Sequence, residues 1–264
     1  MHPHHDAVSA LIRRVAETVV LPRFRNLAAH EVLEKTPGEL VTIADREAEE
    51  RLTEGLAAIA PDAVIIGEEA CAANPALADQ AMAARAWVID PIDGTGNFAA
   101  GEPPFGIMIA LIEAGVIQAG WIYDPVAERM CHAALGGGAF VNGSQVHARQ
   151  SDSPRPHASV SKVAQSEAEH AERMRRFEQD FELWAMPRCA AENYPRLALG
   201  QNDVAVFRRT LIWDHAPGVV FLGEAGGYVA HWDGTPYRVD GKGTGLIAAS
   251  TPELGRRATE LLFG

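Results

Sequence analysis

Asp90-Pro91-Ile92-Asp93-Gly94-Thr95-Gly96-Asn97-Phe98 is the stretch on which the reading of this 264-residue chain turns. Ala86-Trp87-Val88-Ile89, just before it, has the apolar run of a short buried strand, which would deliver Asp90 to its carboxyl end. Pro91 has no N–H for a ladder and is expected to stop the strand. Asp93-Gly94 turns the chain, and Thr95 stands where it would cap a following helix. Two carboxylates three residues apart across such a turn can converge on one point. Carboxylates that close ionise together cheaply only around a cation. A hard divalent ion such as Mg²⁺ suits them, because it takes oxygen ligands and keeps waters for a substrate. The N–H groups of Gly94 and Thr95 would face the same point, and a helix N-terminus favours a phosphate. Gly94-Thr95-Gly96 is too short for a nucleotide loop and lacks the P-loop lysine.

Working outward, other segments end in chemistry-bearing residues. Val8, Leu11, Ile12, Val15 and Val19 fall at helical spacing, so an amphipathic helix opens the chain and stops near Pro22. A second helix is expected from about Asp45, as N-cap, to Ala60. Ala63-Val64-Ile65-Ile66 reads as a buried strand ending in Gly67-Glu68-Glu69. If it neighbours the strand before Asp90, both carboxyl ends share one rim, where α/β proteins place ligands. Two strands between Gly106 and Tyr123 turn at Ala114-Gly115, Glu128 to Ala133 continues the meander, and Asn142-Gly143 marks a type I′ hairpin. Ser151-Asp152-Ser153-Pro154-Arg155-Pro156 is the linker candidate, dividing a single domain over 1–264 into halves of roughly 1–150 and 157–264. Beyond it come a strand at Ala158-Ser159-Val160, a charged helix from about Ser166 to Phe181 and a helix from about Ala190 to Leu199. A strand at Val204 to Phe207 then leads to Trp213-Asp214, where Asp214 suits an N-cap and keeps one oxygen free for a metal. A hairpin turning at Asp233-Gly234, a strand at Leu246 to Ala249 and a helix from Pro252 close the chain. The alternation of helices and sheet segments gives α/β layers.

Composition narrows the function. Hydrophobic residues make up 47% and charged residues 22%, ordinary for a soluble globular chain. The 35 acidic against 23 basic residues give a formal charge of −12, which argues against nucleic acid as a partner. Cys71, Cys131 and Cys189 lie far apart, with no disulfide framework and no cysteine-zinc spacing. Met1-His2-Pro3-His4-His5-Asp6 lacks the pattern of a signal peptide, and the apolar stretch Gly106 to Tyr123 is broken by Glu113 and Gln118. A cytoplasmic location without membrane association is therefore expected. His2, His4 and His5 are expected in a frayed tail, where nothing would fix a zinc geometry.

Gly67-Glu68-Glu69, Asp90-Pro91-Ile92-Asp93-Gly94-Thr95 and Trp213-Asp214 resemble, in order and spacing, the signatures of the inositol monophosphatase superfamily. The resemblance extends through Leu40-Val41-Thr42 with Asp45 and through Gly223-Glu224-Ala225-Gly226-Gly227, nearly the whole chain. It implies an α-β-α-β-α sandwich and Mg²⁺-dependent hydrolysis of a small phosphate monoester, often in a lithium-sensitive homodimer. By this resemblance Glu68, Asp90 and the Ile92 carbonyl would hold a first Mg²⁺, and Asp90, Asp93 and Asp214 a second. A third, looser ion would lean on Glu68. Thr95, paired with Asp45, would orient or deprotonate the attacking water, with Glu68 sharing the task. Gly94 and Thr95 would grip the phosphate, with Asp93, Asp214 and Arg208 among the substrate contacts. Phosphate monoesters hydrolyse very slowly unaided, and cations that clamp the attacking and leaving oxygens suit that demand.

The departures bear on substrate. Inositol-specific members place Glu seven residues before the late Asp, and this chain has Phe207, followed by Arg208 and Arg209. A hydroxyl acceptor is lost and cations are gained, which favours a substrate with a second anionic group over an inositol phosphate. Sugar phosphates, histidinol phosphate and nucleotide bisphosphates are the other candidates. Gly96 stands where Thr or Lys is common, and His215 where a small or apolar residue is usual. Arg188-Cys189-Ala190-Ala191-Glu192-Asn193-Tyr194 aligns with the substrate-recognition helix without its usual wording, and Glu192 is open to two readings, a contact to a sugar hydroxyl or an amine and, slightly favoured, a helix-surface charge. The competing class is a catalytically weak member acting as a binding or regulatory protein. Such a chain would have lost a matched carboxylate or Thr95, and all are present. A Rossmann protein is excluded because no GxGxxG opens a helix after the first strand.

Overall fold

The computed structural model describes residues 2–36, 38–82, 84–241 and 243–264. The chain opens with α1 (His5–Val15), a π-helical turn at Ala16–Val20 and the short α2 (Leu21–Arg23). A hairpin of β1 (Val32–Thr36) and β2 (Glu39–Thr42) leads into α3 (Ile43–Ile59). Then come β3 (Val64–Gly67), α4 (Glu68–Ala73), β4 (Arg85–Asp93) and α5 (Thr95–Ala99). The meander is β5 (Gly106–Glu113), β6 (Val116–Asp124), β7 (Arg129–Ala134), β8 (Gly138–Val141) and β9 (Ser144–Val146). The second half begins with β10 (His157–Val160), α6 (Glu167–Phe177), β11 (Glu182–Leu183) and α7 (Ala190–Ala198). It closes with β12 (Val204–Phe207), α8 (Ile212–Glu224), β13 (Tyr228–His231), β14 (Leu246–Ala249) and α9 (Pro252–Phe263).

β3 to β9 form one seven-stranded sheet in chain order, and β11-β10-β12-β14-β13 form a five-stranded sheet. Side chains alternate across a strand, so β5 feeds two cores. Ile107, Ile109 and Leu111 pack with α1 and α3, while Met108, Ala110 and Ile112 face α7 and α8. Those two helices also touch the smaller sheet through Ala205 and Ala248, and α6 and α9 cover its far face around Phe177 and Leu262. The layers therefore run α-β-α-β-α, as the resemblance implied.

Three features of this frame build the site. β3 and β4 are parallel, with Gly67 opposite Ile89, so Glu68 and Asp90 emerge at the same rim. Pro91 does not end β4: the pairing with β5 skips from Asp90–Met108 to Asp93–Gly106, a bulge that carries the strand to Asp93. Gly94 then takes the left-handed conformation (φ +85°) and is itself the cap of α5, so Thr95 is the first helical residue and not the cap.

Other expectations shift in instructive ways. Asp45 is not the N-cap of α3. Thr42 is, and Asp45 closes a capping box by accepting from the Thr42 N–H at 2.8 Å. Asp214 likewise lies inside the first turn of α8, whose cap is Leu211. The charged helix ends at Phe177, not Phe181. The N-terminal histidines are not frayed: the His5 ring lies 3.6 Å from that of His132 and accepts from Trp121 Nε1 at 3.2 Å. The Ser/Pro-rich connection is pinned as well, since Asp203 accepts from the N–H groups of Ser151 (2.7 Å) and His157 (2.8 Å). Asn142 and Gly143 adopt φ +48° and +79°, the type I′ turn expected between β8 and β9.

Candidate active site

A cavity of about 520 Å³ opens at the carboxyl ends of β3 and β4. Glu68 at the start of α4, Asp90 and Asp93 from β4, and Asp214 from α8 all line it, with Ile92, Gly94 and Thr95. Elements far apart in sequence thus bring these predicted residues together. Asp45 stands directly behind the cavity, fully buried. Its Oδ1 receives the Thr95 hydroxyl at 3.1 Å, and the Ile92 carbonyl lies 3.0 Å from the same hydroxyl. Gly94 is fixed by space as well as by backbone: a Cβ there would meet the Pro104 carbonyl oxygen at 3.0 Å and Cys189 Cβ at 3.2 Å.

The carboxylates are held in low-dielectric surroundings, and their ionisation shows it. Burial pushes Asp90 well above the usual carboxylate range, and the charges of Glu68, Asp93 and Asp214 push it further. Asp214 is raised by burial and then by Asp93 and Glu68. Burial moves Asp93 up to about 6, opposed by the Ala191 N–H, which donates to its Oδ2 at 2.6 Å. Asp45 goes up to about 7 through burial, against the hydrogen bonds from Thr42. These groups repel one another, and burial leaves their charges poorly screened.

Two residues that the sequence reading missed shape this rim. Glu49 accepts from the N–H groups of Glu69 (2.8 Å) and Ala70 (2.9 Å), clamping the first turn of α4 that carries Glu68. Burial lifts it to about 7. Its signal was present, because Asp45 and Glu49 are four apart and share one helix face. Lys35, from β1, donates to Glu68 at 2.8 Å and to Glu69 at 2.7 Å, and so supplies positive charge to the rim.

Among the described residues no three His, Cys, Asp or Glu side chains already form a metal cage. The donor chemistry nonetheless fits a hard divalent cation: the set is oxygen only, and the protonation of Asp90 and Asp214 is raised by mutual repulsion that such a charge would relieve.

The remaining predicted residues divide. Arg209 lines the cavity and pairs with Glu39, whereas Arg208 lines a separate cavity with Lys162, Arg173 and Trp232. Only one arginine of the pair therefore lines the cavity of the carboxylates. Glu192 is no surface charge. It is buried between Arg129 and Arg196 (2.5 Å to the latter) and makes no contact with the cavity. Phe207 stacks on Tyr194 with ring centres 5.8 Å apart, and His215 is buried, its Nε2–H donating to the Arg209 carbonyl (2.9 Å) and its Nδ1 accepting from the Tyr194 hydroxyl (2.8 Å). Burial lowers His215 to about 4.

Comparison with known proteins decides what this arrangement belongs to. The model of the inositol monophosphatase family matches residues 3–262. The chain belongs to the inositol monophosphatase family. It is 33% identical over 228 residues to a histidinol-phosphatase of Chlorobaculum parvum, covering 83% of this chain and 82% of that one. It is 31% identical over 205 residues to a fructose-1,6-bisphosphatase/inositol-1-monophosphatase of Thermotoga maritima, covering 76% of each. Among solved structures, Thermotoga maritima IMPase superposes with a TM-score of 0.81 at 25% identity, over 99% of this chain and 97% of that one. Members of the family are hydrolases of phosphate monoesters, and this chain is such a phosphatase. No helix among the described residues is long and apolar enough to cross a membrane.

Proposed function

We propose that this phosphatase is Mg²⁺-dependent and hydrolyses a small phosphate monoester by direct attack of water, with residues 1–264 acting as one domain. The observation that carries the reading is the meeting of Glu68, Asp90, Asp93 and Asp214 in one cavity, with the Thr95–Asp45 pair at its back. Glu68, Asp90 and the Ile92 carbonyl would hold one Mg²⁺, Asp90, Asp93 and Asp214 a second, and Glu68 would contribute to a third. When bound, such ions neutralise charge building on the phosphoryl oxygens and make water easier to deprotonate.

The chain's own groups handle position and protons. The single Thr95 hydroxyl proton has two acceptors within reach, Asp45 and the Ile92 carbonyl; with that carbonyl engaged by a cation, the hydroxyl would donate to Asp45 and keep a lone pair free to accept a hydrogen bond from the attacking water. As the water attacks, its proton passes to Thr95 Oγ1 while the hydroxyl proton moves to Asp45. With its carboxyl at about 7, Asp45 is poised to take that proton near neutrality. Gly94 and Thr95 would receive the phosphate through their N–H groups at the turn. Asp93 and Asp214 would help to orient the ester in the same cavity.

The family resemblance supports a homodimer, which light scattering in solution checks, and the sequence pattern at Met1 to Asp6 supports a cytoplasmic location. Phosphate release from a panel of monoesters, with Mg²⁺ and with chelator, tests the main reading. Release only with Mg²⁺, and its loss in Asp93→Asn, is expected. Full activity in chelator rejects the proposal.

A further inference from the structure

We propose that Arg188 is the specificity-determining residue of this site, gripping a second anionic group on the substrate. The inference rests on the phosphatase reading above and names its substrate class: a phosphate monoester that carries another phosphate or a carboxylate. The backbone around Arg188 is anchored to the phosphate turn from both sides. On one side, Asn97 Nδ2 donates to the Pro187 carbonyl at 3.0 Å. On the other, Cys189 Sγ donates to the Asp93 carbonyl at 3.7 Å, and the Ala191 N–H holds Asp93 Oδ2. Between these anchors Arg188 adopts φ +56°, a left-handed conformation that costs energy in any residue with a Cβ. Glycine would be the relaxed choice there.

The side chain is as free as the backbone is fixed. Arg188 and Arg209 both line the cavity, but Arg209 is committed to Glu39. The Arg188 guanidinium makes no ion pair or hydrogen bond with any described residue. An exposed, unpaired guanidinium at the lining of the cavity, on a fixed backbone, is available as an anion fork. The carboxylates gather at the end of β4, so the reacting phosphate belongs there, and Arg188 lines the same cavity from the segment that leads into α7. A neutral alcohol would leave this cation without a partner, whereas a second anion would satisfy it.

The test compares fructose 1,6-bisphosphate with fructose 1-phosphate, which share the reacting group and differ in the second anion. Turnover is measured with Mg²⁺, and affinity by calorimetry, on the wild type, R188G and R188K. R188G suits the left-handed backbone, so folding is preserved, and its melting temperature verifies this. Loss of one charge-assisted contact predicts that kcat/KM and affinity for the bisphosphate fall about tenfold or more in R188G, chiefly through KM. The monophosphate should change less than about twofold, and R188K should retain an intermediate preference. Equal losses on both sugars would overturn the proposal, because Arg188 would then grip the reacting phosphate or serve only the fold. So would a wild type that turns over p-nitrophenyl phosphate but shows no preference for the bisphosphate in turnover or binding. Failure of p-nitrophenyl phosphate turnover with Mg²⁺ would instead strike the hydrolase mechanism, while calorimetric preference for the bisphosphate and its loss in R188G would still decide the role of Arg188.

Discussion

Thr95 Oγ1 lies 3.1 Å from Asp45 Oδ1, a contact between residues 50 apart in sequence. It joins the first turn of α5 to the first turn of α3 and gives the cavity its proton acceptor. General acid–base groups contribute typically about 10²–10⁴-fold. Thr95→Ala and Asp45→Asn should each lower kcat by about 100-fold or more while moving KM little, and Thr95→Ser should recover most of the loss. Steady-state phosphate release reads this directly. A pair of variants with unchanged kcat would remove the proton relay.

Acid carboxyls at about 7 for Asp45 and Glu49 have a consequence for stability. Their folded pKa values lie above the unfolded ones, so the native state binds protons that the unfolded chain releases. Stability is therefore greatest, for these groups, below about pH 4 and falls as pH rises through about 7. In chelator, the melting temperature should drop across that window, and the slope should be smaller in Glu49→Gln. A wild-type slope that persists undiminished in the variant would assign the effect elsewhere.

Gly67 is required by space. A Cβ at that position would lie 2.3 Å from Glu49 Cδ, inside the carboxylate that clamps α4. Gly67→Ala should cost about 1–3 kcal/mol of stability and reduce activity by displacing Glu68. Glu49→Ala removes the obstacle, so the double variant should lose less than the sum of the singles. Thermal unfolding of all three checks the coupling, and strict additivity would contradict it.

Asp214 is held in place against repulsion from Asp93 and Glu68. Asp214→Asn should therefore abolish hydrolysis yet raise the melting temperature in chelator. For a chain of this size, each kcal/mol of repulsion removed corresponds to about 2–4 °C. A variant less stable than the wild type in chelator would mean that the repulsion is already compensated within the protein.

Much of this site was legible in the sequence because its residues sit at the ends of regular elements. Apolar runs before Glu68 and Asp90 named two strands, and their parallel pairing makes the two acids neighbours. Thr42-Ile43-Ala44-Asp45 also carried a capping-box spacing, which assigns Thr42 as cap and leaves Asp45 one oxygen to receive Thr95. Other features were not legible. Lys35 reaches Glu68 only because the β1–β2 hairpin folds beside α4, a contact between elements that no local pattern encodes. Which of Arg208 and Arg209 faces the cavity depends on the phase of the segment after β12. The left-handed backbone of Arg188 runs against the glycine preference of that region, so composition gives no hint of it.

Buried carboxylates that need a divalent cation are the centre of this site, and calorimetric titration of Mg²⁺ into metal-free protein tests this most directly. The wild type should bind Mg²⁺ with proton release near pH 6, because Asp93 and its neighbours hold protons that a cation displaces. Asp93→Asn should lose at least one binding event and the accompanying protons. Identical titrations for the two proteins, or none for the wild type, would contradict it.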